Sequence, residues 1–173
     1  MTIQTSDILV DAFGRIREEV AGVLDGAGEA ALVWRPDPQS NTIAWLIWHL
    51  TRVQDDHLAA AFDRPQVWTE QGWADRFGLP FAVEETGYGH SPEEVGRVRA
   101  SADLLGGYHE AVAARTTELV APVAGSGLER IVDERWDPPV TLAVRLVSVI
   151  ADDLQHVGQA AYVKGLAERA GVR

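Results

Sequence analysis

Apolar residues in this chain recur at three- and four-residue steps through four stretches of about twenty residues, the signature of amphipathic helices. In the first, Leu9, Phe13, Ile16, Val20 and Val23 form one stripe between Asp7 and Asp25, with Thr5 or Ser6 able to cap its start and Gly26 placed to end it. The second runs from Thr42 to Phe62. Ser40 or Asn41 can cap it, and Arg64-Pro65 stops it because proline disfavours helical geometry in the residue before it. The third opens with Ser91-Pro92-Glu93-Glu94, a capping box with proline at the first helical position, and continues through Val95, Val98, Ala102, Leu105, His109, Val112, Thr116 and Leu119. Gly106-Gly107 either weakens its middle or admits a close neighbour. The fourth follows Pro138-Pro139, takes Thr141 as its cap and reaches about Glu168. No alternating β-branched run with hairpin turns competes with this pattern, and only Leu128 to Val132 suits a short extended piece. The expected fold is all-α, a four-helix bundle.

The second and third helices are joined by a long connection, Pro65 to His90, rich in aromatics (Trp68, Trp73, Phe77, Phe81, Tyr88) and in glycine. Long irregular connections are uncommon in compact domains and often act as lids. A short helix is expected near Thr69 to Arg76, and the aromatics should press the segment onto the bundle, as a cover or as a lid. No repeat, low-complexity tract or linker interrupts the chain, so residues 1–173 read as one domain.

A formal net charge of −11 argues against nucleic acid or an anionic membrane as partner. The chain has no cysteine, which excludes disulfides, a cysteine nucleophile and thiolate ligands. Met1 to Asp7 lack the basic-then-apolar pattern of a leader, and the longest apolar stretch, Leu142 to Ala151, is too short and too charged to span a bilayer. The expected address is the cytoplasm. Lys164 is the only lysine, a bias that goes with GC-rich genomes.

Chemistry concentrates on two helices. In the second, Trp45, Trp48, His49, Arg52 and Asp56 share one face at 100° per residue. A histidine among tryptophans needs partners for both ring nitrogens; a core hydrogen bond would satisfy one, a metal equally well. Arg52 and Asp56 read as an i, i+4 ion pair. In the fourth helix, Asp152 and His156 lie four residues apart, inside a polar stripe of Arg145, Ser148, Asp152, His156 and Gln159. Taken together, His49, Asp152 and His156 supply three N/O ligands and leave a coordination position open, the pattern of a catalytic site. Zinc comes first among the candidate ions, with nickel, iron and manganese open. Asp153 rivals Asp152, since its i, i+3 spacing to His156 also works. His57 is expected at the helix surface or the pocket rim, His109 buried in a core hydrogen bond, and His90 in the lid. Neither a Gly-x-Ser-x-Gly elbow nor a phosphate-cradling glycine motif occurs.

The segment Asn41-Thr42-Ile43-Ala44-Trp45-Leu46-Ile47-Trp48-His49-Leu50 resembles the second helix of the DinB-like superfamily. Thr86-Gly87-Tyr88-Gly89-His90-Ser91-Pro92 is similar to its entry into the third helix, and Arg145 to Tyr162 to its last long helix. The likeness is greatest to an actinobacterial branch of mycothiol transferases, beside mycothiol-dependent maleylpyruvate isomerase and the bacillithiol transferases. It implies an up-down-down-up bundle, often a homodimer, with a divalent metal held by a residue of the second helix and an i, i+4 pair of the fourth. Relatives use three histidines, or histidine, glutamate and histidine. Here His49 and His156 match the outer ligands, and Asp152 stands at the middle position with a side chain one methylene shorter than glutamate. It further implies a mycothiol-like thiol as cosubstrate, ionised on the metal to attack a small electrophile. Arg52, Gln159, Trp45 and Trp48 would then contact thiol or substrate. Hydrolysis by metal-activated water, and a stress-linked binding protein without turnover, are the alternatives.

Overall fold

The computed structural model describes residues 3–173; Met1 and Thr2, the start of the stretch read for a leader, lie outside the described residues. Four long helices make the bundle: α1 (Thr5–Leu24), α3 (Ile43–Phe62), α7 (Ala102–Val120) and α8 (Leu142–Arg169). Short helices lie between them: α2 (Glu29–Val33), α4 (Val67–Glu70), α5 (Trp73–Phe77) and α6 (Pro92–Val95). The fold is all-α apart from one small antiparallel ribbon, β1 (Ile131–Asp133) with β2 (Val140–Thr141). β1 takes up Ile131 and Val132 of the stretch Leu128 to Val132 that suits an extended piece, while Leu128 belongs to a 3-10 turn, Gly125–Glu129. Among the described residues, no helix is long and apolar enough to cross a membrane.

The long helices pack in a ring, α1 against α7, α7 against α3, α3 against α8, and α8 against α1. Side-chain pairs give their directions. Thr51 meets His109 and Gln54 meets Thr116, so α3 and α7 run the same way. His57 meets Arg145 and His49 meets His156, so α8 runs against α3. Arg17 pairs with Glu110, and Leu24 lies beside Gly106, so α1 opposes α7. The order is up-down-down-up. Ile16, Val20, Ile43, Leu46, Ile47, Leu50, Leu105, Leu146 and Val149 fill the centre and are almost wholly buried. Each such aliphatic side chain stabilises the fold by about 1.5–3 kcal/mol.

The third long helix starts later than its sequence pattern suggests. The Ser91 capping box closes, with Glu94 N donating to Ser91 Oγ, but it opens only the single turn of α6. The chain then breaks, and Ser101 caps α7 by accepting from Leu104 N. Val95, at the end of α6, and Val98, inside the break, are both buried, so the apolar spacing continues where the helix does not.

The long connection packs down onto the bundle. Asp55 on α3 accepts from the backbone N–H of Val67 and Trp68 at 2.8 and 2.7 Å, fixing the first turn of α4. Trp73 of α5 lies against Gly107, where a Cβ would come within 3.0 Å of the indole. The glycine pair in α7 therefore admits a close neighbour.

Candidate metal centre

The N-terminal half of α3 places the first donor. Thr42 caps the helix by accepting from Trp45 N, and one turn beyond Trp45 the chain presents His49. Its imidazole is buried and stacks on Trp45, ring centroids 4.5 Å apart and 14° from parallel. Nδ1 lies 2.6 Å from the Thr86 carbonyl oxygen. A carbonyl only accepts, so Nδ1 carries the proton and Nε2 keeps its lone pair. Burial pushes the pKa of His49 down, against the pull of the Thr86 carbonyl, so the ring is neutral at physiological pH.

From α8, His156 faces His49 edge-on at 4.9 Å between centroids. His156 Nδ1 lies 3.1 Å from Gln159 Oε1, and Nε2 lies 3.6 Å from Asp152 Oδ1. An amide oxygen only accepts, so Nδ1 donates to Gln159 and it is Nε2 that faces Asp152. The carboxylate atom Asp152 Oδ2 is buried and has no hydrogen-bond partner. One donor atom from each of His49, Asp152 and His156 falls within 4.8 Å of the other two.

These donors suit a divalent cation. Two imidazoles and a carboxylate converge, one carboxylate oxygen is orphaned, and both Nδ1 atoms already face acceptors, as ligating histidines require. Asp153, the rival for this position, points the other way. It is fully buried with neither oxygen partnered, and burial holds its carboxyl well above the usual range.

The remaining residues divide between the centre and the lid. Trp45 adds an edge contact to His156 at 6.2 Å and donates its Nε1–H to His90 Nδ1 at 3.2 Å. His90 is thereby protonated on Nε2, which donates to Glu85 Oε2 at 3.1 Å. Gln159 orients His156. Trp48 sits under the lid against Trp68, Phe81 and His90, its Nε1 buried without a partner. Arg52 is not part of the cluster. Its guanidinium is fully buried, donating to Glu85 O, Gln66 Oε1 and the Tyr108 hydroxyl, and lying over Trp68.

The expected ion pair between Arg52 and Asp56 does not form. Gln66 stands between them, accepting from Arg52 and donating to Asp56, while the nearest carboxylate to Arg52 is Asp55 at 3.7 Å. His57 lies half-exposed at the rim, taking a hydrogen bond from Arg145. His109 is buried against Thr51.

Sequence reading missed Thr86 and Glu85. The backbone carbonyl of Thr86 fixes the His49 tautomer, and no side-chain motif encodes that. The available signal was the glycine after it. Gly87 sits at φ +95°, and a Cβ there would come within 2.9 Å of both His49 Nδ1 and the Trp48 ring.

An up-down-down-up helical bundle with a His–Asp–His cluster between its second and last long helices is a DinB-like protein. The profile of the mycothiol-S-transferase family matches residues 8–168, and the chain belongs to that family. Its fold is also that of a solved structure, the crystal structure of a conserved protein from Enterococcus faecalis. The two are 30% identical with a TM-score of 0.87, over 94% of this chain and 96% of that one. No curated protein matches the chain.

Proposed function

We propose that this chain is a metal-dependent S-transferase that joins a small thiol, mycothiol or a close analogue, to a small electrophile. The observation that carries the reading is the convergence of His49, Asp152 and His156 in a member of the mycothiol-S-transferase family. Those three residues would hold one divalent ion, with zinc the first candidate and nickel, iron or manganese the others. When bound, such an ion lowers the pKa of a ligated thiol and presents it as a thiolate.

The chain's own residues supply the rest. The Thr86 carbonyl and Gln159 hold the two imidazoles by Nδ1 and leave each Nε2 facing the centre. Trp45 stacks on His49 and excludes water from that side, and its position at the cluster makes it a wall for the electrophile. Gln159, exposed beside His156, can reach the cosubstrate as well. Trp48 and Arg52 would act indirectly, by supporting the lid that carries Thr86. The reading takes residues 1–173 as one functional unit, a homodimer in the cytoplasm, acting on thiol and electrophile, with nucleic acid and membrane disfavoured by the net charge of −11.

The test is elemental analysis of purified protein beside His156→Ala, followed by thiol consumption with mycothiol and a panel of electrophiles. About one divalent ion per chain is expected in the wild type. His156→Ala should lose it while far-UV circular dichroism stays unchanged. Stoichiometric metal in the variant would overturn the ligand assignment. Turnover of substrates without any thiol would replace transfer by hydrolysis.

A further inference from the structure

The segment that touches His49 carries one side chain that the rest of the fold does not use. Most aromatics of the long connection turn inward, with Trp68, Trp73 and Phe77 buried, but Tyr88 is 93% exposed, more than any other large apolar side chain among the described residues. Among those residues its ring and hydroxyl have no hydrogen-bonding or aromatic partner. A single exposed aromatic is ordinary on a surface. What sets this one apart is how its backbone is held.

Tyr88 and Gly89 are the central residues of a tight turn closed by His90 N donating to Gly87 O at 3.1 Å. Gly89 lies at φ +76° and Tyr88 outside the left-handed region, the pattern of a type II turn, which needs glycine at the second central place. Both ends of the turn are fixed on residues of the metal centre. On one side the Gly87 backbone is pressed against His49 and Trp45, where a Cβ would come within 2.9 Å of His49 Nδ1 and 3.3 Å of Trp45 Cζ2. On the other, His90 Nδ1 takes the Trp45 Nε1–H at 3.2 Å, and the Ser91 capping box starts α6 directly after it. Cζ2 and Nε1 lie on the same edge of the indole. The turn therefore spans that edge, and Tyr88, one Cα step of about 3.8 Å from Gly87, stands beside it. The same indole stacks on His49 and meets His156 edge-on. With both ends of the turn held, Tyr88 moves chiefly about its own side-chain torsions.

We infer that Tyr88 is the specificity residue of this site: it lays its ring on the molecule held at the His49–Asp152–His156 centre and favours a flat, conjugated or aromatic group there. The inference rests on the metal-dependent reading above and adds to it the class of partner. A phenol ring open on both faces gains most from a second π system, met offset or edge-on, and less from an aliphatic chain that only covers area. Charge narrows the class. Glu84 and Glu85 lie in the same segment and Asp152 in the centre, so a neutral ring is favoured over an anionic one in a chain of net charge −11.

Cobalt-substituted protein tests this without turnover. Phenylmethanethiol and cyclohexylmethanethiol, which differ in the flatness of the ring, are titrated against it and followed by the cobalt–thiolate charge-transfer absorption. Comparing the ratio of the two affinities between proteins cancels the difference in thiol acidity. Relative to the wild type, the aromatic-to-alicyclic ratio should fall by roughly 2- to 10-fold in Tyr88→Leu, the size of one aromatic pair interaction, and hold in Tyr88→Phe. Both changes sit at an exposed position, so circular dichroism and the cobalt spectrum before thiol should match the wild type. A ratio that survives Tyr88→Leu, or falls as far in Tyr88→Phe, overturns the inference and leaves the metal centre standing. Cobalt that never enters the wild type, or enters and takes no thiol, overturns the metal-and-thiol reading itself and the inference with it.

Discussion

His109 joins local chemistry to pH at the scale of one residue. The Thr51 hydroxyl donates to Ile47 O at 2.7 Å, so its oxygen accepts from His109 Nδ1–H at 3.1 Å. Nε2 is left buried with no partner. A second proton there would add a charge in the core, and burial accordingly pushes the pKa of His109 down to about 4. The sign follows from linkage. Between the ordinary value of about 6.5 and the folded value, the unfolded chain takes up a proton that the folded chain refuses, so stability falls as pH drops through that window. By pH 4 the loss is on the order of 3 kcal/mol. Urea titrations of metal-free protein at pH 7 and pH 4.5 should show it. His109→Asn, less stable overall, should lose markedly less on the same step. An equal loss in both proteins would assign the acid sensitivity to other groups.

The lid shows at the scale of elements what the sequence discloses and what it hides. The helices are legible because one stripe of side chains is read directly from spacing. Leu9, Phe13, Ile16, Val20 and Val23 are all buried along α1, as their periodicity requires. The same rule fails at Ser91, where apolar spacing continues through Val95 and Val98 although the backbone leaves the helix. Spacing records which residues face inward, and a turn that keeps them inward is invisible to it. The five-residue α2 is too short to show a period at all. Likewise the spacing 152/156 locates the fourth-helix pair, but the choice between Asp152 and Asp153 depends on the rotation of α8 against α3. Only packing sets that. The lid's grip on His49 is a backbone matter too, and Gly87 controls it. Gly87→Ala, strained by the positive φ and blocked at 2.9 Å by His49 and Trp48, should draw the Thr86 carbonyl off Nδ1. Loss of such a supporting acceptor typically weakens metal binding by about 10–100-fold. Competition titration with a chromophoric chelator measures it, and circular dichroism should confirm that the bundle persists. Unchanged affinity would mean that the lid does not orient the ligand.

For the whole molecule, the cluster joins two helices that run in opposite directions. His49 comes from α3, and Asp152 and His156 come from α8, so the donor set exists only when the bundle is formed. On the proposed reading, an ion that binds the folded state and not the unfolded chain stabilises the fold by mass action. That amounts to about 2.7 kcal/mol when free metal is a hundredfold above its dissociation constant. For a chain of this size each kcal/mol moves the midpoint by roughly 2–4 °C, so chelation should lower the melting temperature by about 5–10 °C. The effect belongs to the site and not to general screening of the acidic surface. His156→Ala should therefore melt near the chelated wild type and respond neither to chelator nor to added metal, while moderate salt moves both proteins alike. A variant that still gains stability from the ion would show that the cation is binding to scattered carboxylates of a chain with a net charge of −11. The convergence of α3 and α8 would then serve packing alone.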